Sequence, residues 1–416
     1  MPAPSRVASR LSPTGACLGL ITILSLLLVT SFKCVQVHGA IFTASSLLTP
    51  VLTWLYWRVL VSFTPETQRH VLNVSLMGLY LFSIGLYVVL NLPAAEALRD
   101  PLAHQIVFED VPRQFFATTV AFGLGCYLPG LFLTRLQALE GVRPEVKLLS
   151  ALIGGAAFFA LNFISLFSEL HEALSAALFP ISAAVVGVLL LVGGFCTRQC
   201  LRRTRYSPRR LTPRAIPRLY LEGFAASLLL VCFIGEYRLV AFGAGGIMPA
   251  SIVLLPFILF ATNLIHERWG ESANRHMVFY LVAVIVWFGS AVLMLIAMPS
   301  PMHDTADSLY ITVMPRRIPV SIVAFGILFY VNARLLAVLR RLPRFGQPWS
   351  RILLANALAA LFAGVVNHYL LTPAIFSDAQ MHQLSRDSLT YLMLMGLPCL
   401  LVLCAVFHLT QQKYRG

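Results

Sequence analysis

Residues 256–276 read PFILFATNLIHERWGESANRH. An apolar run ends here in a polar stretch that contains Asn263, Glu267 and Arg275, and a second apolar run covers 277–298. Each run is long enough to cross a lipid bilayer as an α-helix, which takes about 20 residues. The stretch therefore predicts a tight turn between two membrane-spanning helices, with ionisable side chains close to the membrane surface.

Twelve apolar runs of similar length follow one another along the chain. The 416 residues are 58% hydrophobic and only 12% charged, and a soluble domain could not cover its surface with so few charges. The predicted fold class is therefore an all-α polytopic membrane protein with about twelve transmembrane helices. The predicted spans are 15–32, 41–63, 72–92, 115–135, 148–168, 177–196, 219–236, 247–266, 277–298, 318–339, 352–372 and 388–410.

The twelve runs form two sets of six that share a register. Pro50 precedes Arg69 by the interval that separates Pro256 from Arg275, and Asn162 and Asn367 hold matching places further on. We interpret this as an internal duplication. The predicted organisation is a cytoplasmic tail at 1–15, a first six-helix repeat at 16–196, a basic linker at 197–218 and a second six-helix repeat at 219–411. An even number of spans in each repeat predicts two parallel repeats.

Pairs of small residues inside the runs predict places where helices approach closely. Gly154-Gly155 lie in the fifth run, and Gly243 to Gly246 precede the eighth. Small side chains allow helix backbones to come close together in a membrane.

The positive charge indicates an orientation rather than a nucleic-acid partner. The formal net charge is +14, but the basic residues lie in short turns between apolar runs and form no single patch. Lys and Arg concentrate in alternate turns, which predicts a multi-pass protein with both termini in the cytoplasm. The first run could alternatively be a signal peptide. The repeat argues against this, because 219–236 is the counterpart of that run.

The linker between the repeats contains eight arginines and three prolines between Arg198 and Arg218. One interpretation is a site for anionic lipid headgroups or an acidic partner. The other is a topology anchor that also tethers the two repeats.

The polar stretch at 256–276 offers a candidate ligand site. Asn263 and Glu267 are four residues apart and so lie on one helical face, and Arg275 at the start of the next helix is expected to pair with Glu267. An amide, a carboxylate and a guanidinium together could bind a small planar polar molecule. The alternative is an interfacial cluster that caps the helix end.

Further polar residues lie in the tenth and eleventh runs. Arg316 is predicted at the outer mouth of the tenth run and Asn332 deep within it, while Arg334 could simply extend to the inner surface. Asn356 and Asn367 are eleven residues apart and share a helical face. Such asparagines could line a cavity or form hydrogen bonds that join helices.

The first repeat is poorer in polar residues. The positions that match Asn263 and Glu267 are occupied by Trp57 and Val61. If the protein has one functional site, the second repeat is expected to supply most of its polar groups.

No catalytic motif is recognisable. His266-Glu267 lacks the second histidine of a zinc-protease helix, and the chain has neither a phosphate-binding glycine loop nor a nucleophile elbow. We therefore predict that the protein is not an enzyme and uses no cofactor or metal.

Three blocks of the sequence resemble the queuosine precursor transporter family, also called the vitamin-uptake-like or VUT family. That family has a proline before an apolar turn, a polar pair, a glutamate, an aromatic-glycine pair and a later arginine. The blocks are Pro256, Thr262-Asn263, Glu267, Trp269-Gly270, Ala273 and Arg275; Arg316 to Phe325 with Ser321, echoed by Pro112 to Phe122 with Thr118; and Asn367 in a later helix.

The resemblance implies one family unit per repeat and a transporter that imports 7-deazaguanine precursors of queuosine. It implies a lipid-embedded protein of a bacterial inner membrane with a small-molecule substrate. If half-size relatives act as dimers, this chain would be a covalent pseudo-dimer and hence a monomer. The implied substrate contacts are Asn263, Glu267, Arg275, Arg316, Asn332 and Asn367.

The chain departs from the family where aspartates are expected. Asparagine stands at positions 263, 332 and 367, which removes proton-accepting groups but keeps hydrogen-bonding capacity. Glu267 is then the main candidate for proton coupling. The same departure favours an alternative, a membrane binding or scaffold subunit that acts only with a partner.

Overall fold

The structure is a computed structural model of the whole chain. It describes residues 11–93, 111–139, 142–167, 172–203, 208–236, 238–243, 246–301, 305–342, 347–371 and 378–413. Residues 1–10 of the predicted cytoplasmic tail lie outside the described residues.

Twelve helices account for almost all of the described residues. Two of them each contain one π-helical turn. The helices are α1 Pro13–Thr30, α2 Ser45–Ser62, α3 Pro65–Asn91, α4 Val111–Phe122 with the π turn Gly123–Tyr127 and Leu128–Leu139, α5 Pro144–Phe167, α6 Glu172–Arg203, α7 Ile216–Gly235, α8 Ser251–Trp269, α9 Glu271–Ala297, α10 Thr305–Arg340, α11 Pro348–Leu371 and α12 Asp378–Tyr391 with the π turn Leu392–Gly396 and Leu397–Lys413.

Ten helices in the described part of the chain are long and apolar enough to cross a membrane. A helix satisfies its backbone hydrogen bonds internally, which is why apolar runs of this length take that form in lipid. Helix α2, which contains Pro50 and Arg58, is not among the ten. Helix α11 is not among the ten either; within it, Pro348–Phe362 is a shorter apolar stretch. The prediction of an all-α polytopic membrane protein is confirmed, and the arrangement as parallel repeats stays a prediction.

Two short β-hairpins interrupt the helical pattern, and the sequence analysis did not predict them. Strand β1 (Cys34–Val37) pairs with β2 (Ala40–Thr43), and β3 (Leu239–Phe242) pairs with β4 (Gly246–Pro249). In the first hairpin the two turn residues, His38 and Gly39, both have positive φ, as a tight turn matched to the strand twist requires. The predicted span 41–63 therefore begins with a strand and becomes helical only at Ser45.

The order and bounds of the elements recur along the chain. The number of residues from the start of β2 to the start of β4 is the same as from α2 to α8 and from α3 to α9. Helices α3 and α9 both have 27 residues, and α5 and α11 both have 24. This agrees with a duplicated unit, although the duplication itself stays a prediction.

The contacts group the chain into two compact units. Unit 1 comprises Met1–Ser83, Phe108–Gly223 and Ser290–Asp307, and unit 2 comprises Ile84–Val107, Phe224–Gly289 and Ser308–Gly416. Four of the divisions fall inside α3, α7, α9 and α10. Each hairpin is anchored to the end of a long helix: Gln36 N donates to the Pro299 carbonyl (2.8 Å) in unit 1, and Ala241 N donates to the Pro93 carbonyl (2.9 Å) in unit 2.

Close helix approach occurs at one of the two predicted glycine pairs. A Cβ atom at Gly154 would lie 2.4 Å from the Gly125 carbonyl oxygen, and one at Gly155 would lie 1.9 Å from Thr53 Oγ1. The prediction is thus confirmed for the Gly154-Gly155 pair. It is wrong for Gly243 and Gly246, because these residues belong to the second hairpin, where Gly243 has a φ of 58°.

The described end of the basic linker lies against unit 1. Arg209 forms a backbone bridge with the α2–α3 turn, donating from its N to the Ser62 carbonyl and accepting from Thr64 N, both at 2.9 Å. The neighbouring Arg210 pairs with Glu66 at 3.0 Å. Residues 208–211 are therefore docked on the protein, which is more than the predicted tether.

Candidate functional site

Three buried asparagines in unit 2 form a chain of hydrogen bonds, which we call the amide ladder. Asn332 Nδ2 of α10 donates to Asn263 Oδ1 of α8 at 2.9 Å, and Asn263 Nδ2 donates to Asn356 Oδ1 of α11 at 3.3 Å. All three residues are 1% exposed. The ladder joins three helices through side chains that carry no charge.

Both ends of the amide ladder have unused hydrogen-bonding capacity. Asn332 Oδ1 and Asn356 Nδ2 are buried, and among the described residues neither atom has a hydrogen-bond partner. A buried polar group without a partner is costly, so native proteins seldom leave one unless a ligand or water uses it. The ladder thus presents an acceptor at one end and a donor at the other.

An ion pair lies one helical turn beyond the ladder. Glu267 Oε2 of α8 accepts from Arg351 Nη2 of α11 at 2.9 Å, with side chains 19% and 9% exposed respectively. The predicted pairing of Glu267 with Arg275 is wrong. Arg275 is exposed at the start of α9, and Arg351 approaches Glu267 from a helix that the sequence analysis did not consider as its partner.

A second polar contact backs the same end of α8. His266 is fully buried, and its Nδ1 lies 3.3 Å from Asn274 Nδ2 of α9. His266 Nε2 has no partner among the described residues. Four helices of unit 2, α8 to α11, therefore contribute side chains to one polar region.

The remaining predicted site residues have different outcomes. Arg316 lies in α10 and Asn367 in α11, but their side chains lie outside the described part of the structure. Arg334 reaches the helix end and approaches Glu271 at 3.6 Å with its side chain 61% exposed, as expected for a residue that extends to the surface. The structure therefore brings Asn263 and Asn332 together, with Glu267 a turn away.

The corresponding places in unit 1 are apolar or hold polar side chains that bond within that unit. Trp57 and Val61 are both buried. Lys147, in the first turn of α5, donates from Nζ to the Leu60 carbonyl at 2.9 Å. Asn162 donates to Ser31 Oγ at 3.1 Å.

Arg351 and Asn356 belong to this region but were not predicted as site residues, and one sequence signal could have identified Arg351. Both α5 and α11 begin with a proline followed three residues later by a cation: Pro144 and Lys147, Pro348 and Arg351. This recurrence marks Arg351 as a structural position. Asn356 was noted only for its spacing from Asn367, and its contact with Asn263 depends on tertiary packing.

The chemistry available to the site is hydrogen bonding without net charge. The amides are neutral and the Glu267–Arg351 pair cancels, so the region suits an uncharged polar ligand. Within the described residues, no group of three or more His, Cys, Asp or Glu side chains could hold a metal ion.

Residues 249–406 match the model of a family described as "Putative vitamin uptake transporter". The match contains the whole amide ladder and the Glu267–Arg351 pair, but it covers less than half of the chain. No curated protein and no solved structure matches the chain. The match supports the resemblance seen in the second repeat, and together with the ten apolar helices it supports a multi-pass membrane transporter of small molecules.

Proposed function

We propose that this protein imports a small planar heterocycle, and that the substrate is a 7-deazaguanine precursor of queuosine. The substrate would contact Asn263, Glu267 and Asn332, together with Asn356 and the predicted contacts Arg275, Arg316 and Asn367. The protein would act as a monomer in the inner membrane of a bacterium, with both termini in the cytoplasm.

The observation that carries the proposal is the buried amide ladder with free capacity at both ends. Asn332 Oδ1 can accept and Asn356 Nδ2 can donate. Carboxamides read the edges of heterocyclic bases in this way, because one group supplies a donor and an acceptor side by side. A 7-deazaguanine offers matching donors and acceptors on a neutral ring.

The shape of the ligand follows from the same geometry. The ladder joins α8, α10 and α11 through short side chains, so the ligand must fit between closely spaced helices. A flat ring fits such a space better than a bulky or branched molecule. A site built from hydrogen-bonding groups also rejects analogues that lack the matching groups, often by factors of about 10⁴.

The test is uptake by a cell that cannot make queuosine but can insert a supplied precursor into tRNA. Expression of this protein should restore the modified base in tRNA when a 7-deazaguanine precursor is supplied at low concentration. A 7-deazaadenine, which exchanges donor and acceptor at positions 1 and 6 and lacks the 2-amino group, should not compete for uptake. Absence of rescue despite confirmed membrane expression would contradict the proposal.

A matched pair of variants locates the site. Asn263→Ala removes the centre of the ladder, and Asn162→Ala removes an equally buried asparagine of unit 1, which donates to Ser31 Oγ at the end of α1. We expect loss of uptake in the first and retained uptake in the second. Equal loss in both variants would show that uptake does not depend on the ladder.

The alternative is a membrane binding or scaffold subunit that requires a partner. The observation that favours it is the replacement of the family's aspartates by Asn263 and Asn332, which leaves amides at the centre of the site. Under this alternative the purified protein alone would bind the precursor without moving it across a vesicle membrane. A partner that co-purifies in fixed stoichiometry and restores flux would support it.

A further inference from the structure

An apolar groove opens on the surface of unit 1 between α2, α5 and α6. Helix α2 contributes Pro50, Trp54 and Trp57 to its lining, and α6 contributes Leu190 and Gly194. Trp54 is 49% exposed and Trp57 is buried, so one ring stands at the rim of the groove and the other lies inside it. At 1.5 Å per residue, the stretch from Pro50 to Trp57 gives the groove a length of about 10 Å.

Two glycines keep the groove open on the side of α6. Apart from its chain neighbours and its own helix turn, no described residue would come within 4 Å of a Cβ atom at Gly193. A Cβ atom at Gly194 would lie 3.1 Å from Leu152 Cδ1 of α5, so this glycine lets the two helices approach. In unit 2 the last helix, α12, has no glycine between Leu397 and Lys413. The glycine pair is therefore particular to unit 1.

Two arginines extend the lined faces of α2 and α6 by one helical turn. Arg58 follows Trp54 by four residues, and Arg198 follows Gly194 by four residues, so each arginine shares a helical face with a residue that lines the groove. The Arg58 guanidinium carbon lies 5.9 Å from the centre of the Trp54 ring and 6.0 Å from that of Trp57. Arg198 is exposed and belongs to α6.

Both arginines lie at the same end of the groove. Lys147 in the first turn of α5 donates to the Leu60 carbonyl, so the start of α5 lies beside the end of α2. Leu152 in the early part of α5 faces Gly194 in the late part of α6, so the end of α6 lies there too. The groove thus has one end that is marked by positive charge.

The other charged groups at this end leave an excess of positive charge. Arg143 precedes α5 and is exposed, and Lys147 is buried, while Glu145 is an exposed carboxylate in the first turn of α5. In the orientation proposed above, this end faces the cytoplasm, where membrane lipids carry negative headgroups. Basic pockets between helices on that side of a membrane are typical binding sites for such headgroups.

We propose that the groove binds one anionic phospholipid, with an acyl chain along Trp54, Trp57 and Gly193 and the phosphate beside Arg58 and Arg198. The chain covers apolar surface, and the guanidinium groups bind phosphate oxygens through paired N–H donors. The bound lipid links α2, α5 and α6 and stabilises unit 1 by mass action. This inference does not depend on the proposed transport function, because the amide ladder belongs to unit 2.

The test is native mass spectrometry of the purified protein with phosphatidylglycerol or with phosphatidylcholine of the same chain length. We expect one phosphatidylglycerol to stay bound at collision energies that remove phosphatidylcholine, because only the first lipid carries a net negative charge. Glycerol phosphate, a headgroup without acyl chains, should not displace it. Equal retention of the two lipids, or displacement by glycerol phosphate at equal concentration, would overturn the proposal.

A matched pair of glycine variants tests the place of the acyl chain. Gly193→Leu puts a side chain into the groove, whereas Gly187→Leu adds the same side chain to α6 at a position that does not line it and is equally open. Retention of phosphatidylglycerol should fall by about tenfold or more in the first variant, since losing the burial of two methylene groups already has that effect. It should be unchanged in the second. Gly193→Ala, which should have a smaller effect, replaces Gly193→Leu if that variant does not fold, and retention equal to that of Gly187→Leu would contradict the site.

A pair of arginine variants tests the place of the headgroup. Arg198→Gln should lower the preference for phosphatidylglycerol over phosphatidylcholine by about fivefold, the contribution of one arginine near an anionic lipid. Arg341→Gln removes an exposed arginine of unit 2 and should leave the preference as in the wild type. An unchanged preference in Arg198→Gln would remove the headgroup contact from the proposal. A wild-type dimer without bound lipid would assign the groove to a second copy of the chain and overturn it.

Discussion

Corresponding helix pairs in the two units solve the same packing problem differently. In unit 1, helix α5 lies close against α2 because Gly155 faces Thr53, and Lys147 donates to the Leu60 carbonyl at the end of α2. In unit 2, α11 meets α8 through the Asn263–Asn356 hydrogen bond and the Glu267–Arg351 ion pair. The α2–α5 pair packs closely at glycine residues, which have no side chain, whereas the α8–α11 pair is joined by polar side chains.

This difference indicates which helix pair can offer hydrogen-bonding groups to a ligand. Glycine contacts bring backbones together and leave no functional group between them, so the α2–α5 pair of unit 1 serves as structure. Carboxamides and ionic groups hold helices together while leaving donors and acceptors available to a third partner.

Replacing Glu267 by Gln should be the most damaging single change. It breaks the ion pair between Glu267 and the largely buried Arg351 guanidinium, and breaking a buried pair costs about 3–5 kcal/mol. The corresponding change in unit 1, Lys147→Met, removes one donor from a carbonyl that also accepts from Gln68 Nε2 at 2.8 Å. It should cost about 1 kcal/mol.

Thermal unfolding in detergent, followed by size-exclusion chromatography, would measure both variants. Adding Arg351→Leu to a Glu267→Leu variant should recover most of the lost stability, because the double change leaves no unpaired charge. Equal destabilisation by the Glu267 and Lys147 variants would contradict the distinction between the two units.

Asn263→Ala should come next in size and act mainly on uptake. It removes both hydrogen bonds of the ladder and leaves Asn332 and Asn356 with further unmet groups, at about 1–3 kcal/mol each. We expect uptake of the precursor to fall by about 10- to 100-fold. Initial uptake rates, normalised to the amount of protein in the membrane, would measure the effect.

Gly155→Ala should destabilise unit 1, whereas Gly326→Ala in α10 should not destabilise unit 2. The added methyl at position 155 would meet Thr53 Oγ1 at 1.9 Å, and such overpacking costs about 1–3 kcal/mol. At Gly326 the nearest atom is 3.7 Å away, so the loss of backbone freedom in the unfolded chain should add roughly 0.4–1 kcal/mol of stability. Melting temperatures that move in the same direction for both would argue against close packing at α2–α5.

Arg210→Ala should have the smallest effect. Its ion pair with Glu66 is 72% and 55% exposed, and exposed pairs contribute about 0–1 kcal/mol. Docking of the linker depends on the backbone bridge at Arg209, which the change leaves in place. Limited proteolysis should therefore cut the linker of the variant and of the wild type at similar rates.

The number and order of helices followed directly from the sequence. Apolar runs of about 20 residues have one stable form in lipid, so the predicted spans 15–32 and 277–298 correspond to the observed helices Pro13–Thr30 and Glu271–Ala297, with the bounds shifted by one to six residues. The hairpins were missed because strands of four residues are too short to show an alternating pattern beside apolar runs. Their turn residues, His38-Gly39 and Gly243, were the available signal.

The candidate site was only partly predictable. The shared helical face of Asn263 and Glu267 is a local property of the sequence. The partners Arg351 and Asn356 come from a helix far along the chain, and the choice of Arg351 over the nearer Arg275 depends on how α8, α9 and α11 pack. No spacing rule within one segment contains that information.

The amide ladder has a direction, because each carboxamide donates on one side and accepts on the other. Turning Asn263 around would oblige Asn332 and Asn356 to turn as well, so the three groups can exchange roles only in concert. A molecule that binds at one end thereby fixes whether a donor or an acceptor is presented at the other. An aspartate at position 263 could only accept, and it would erase this polarity.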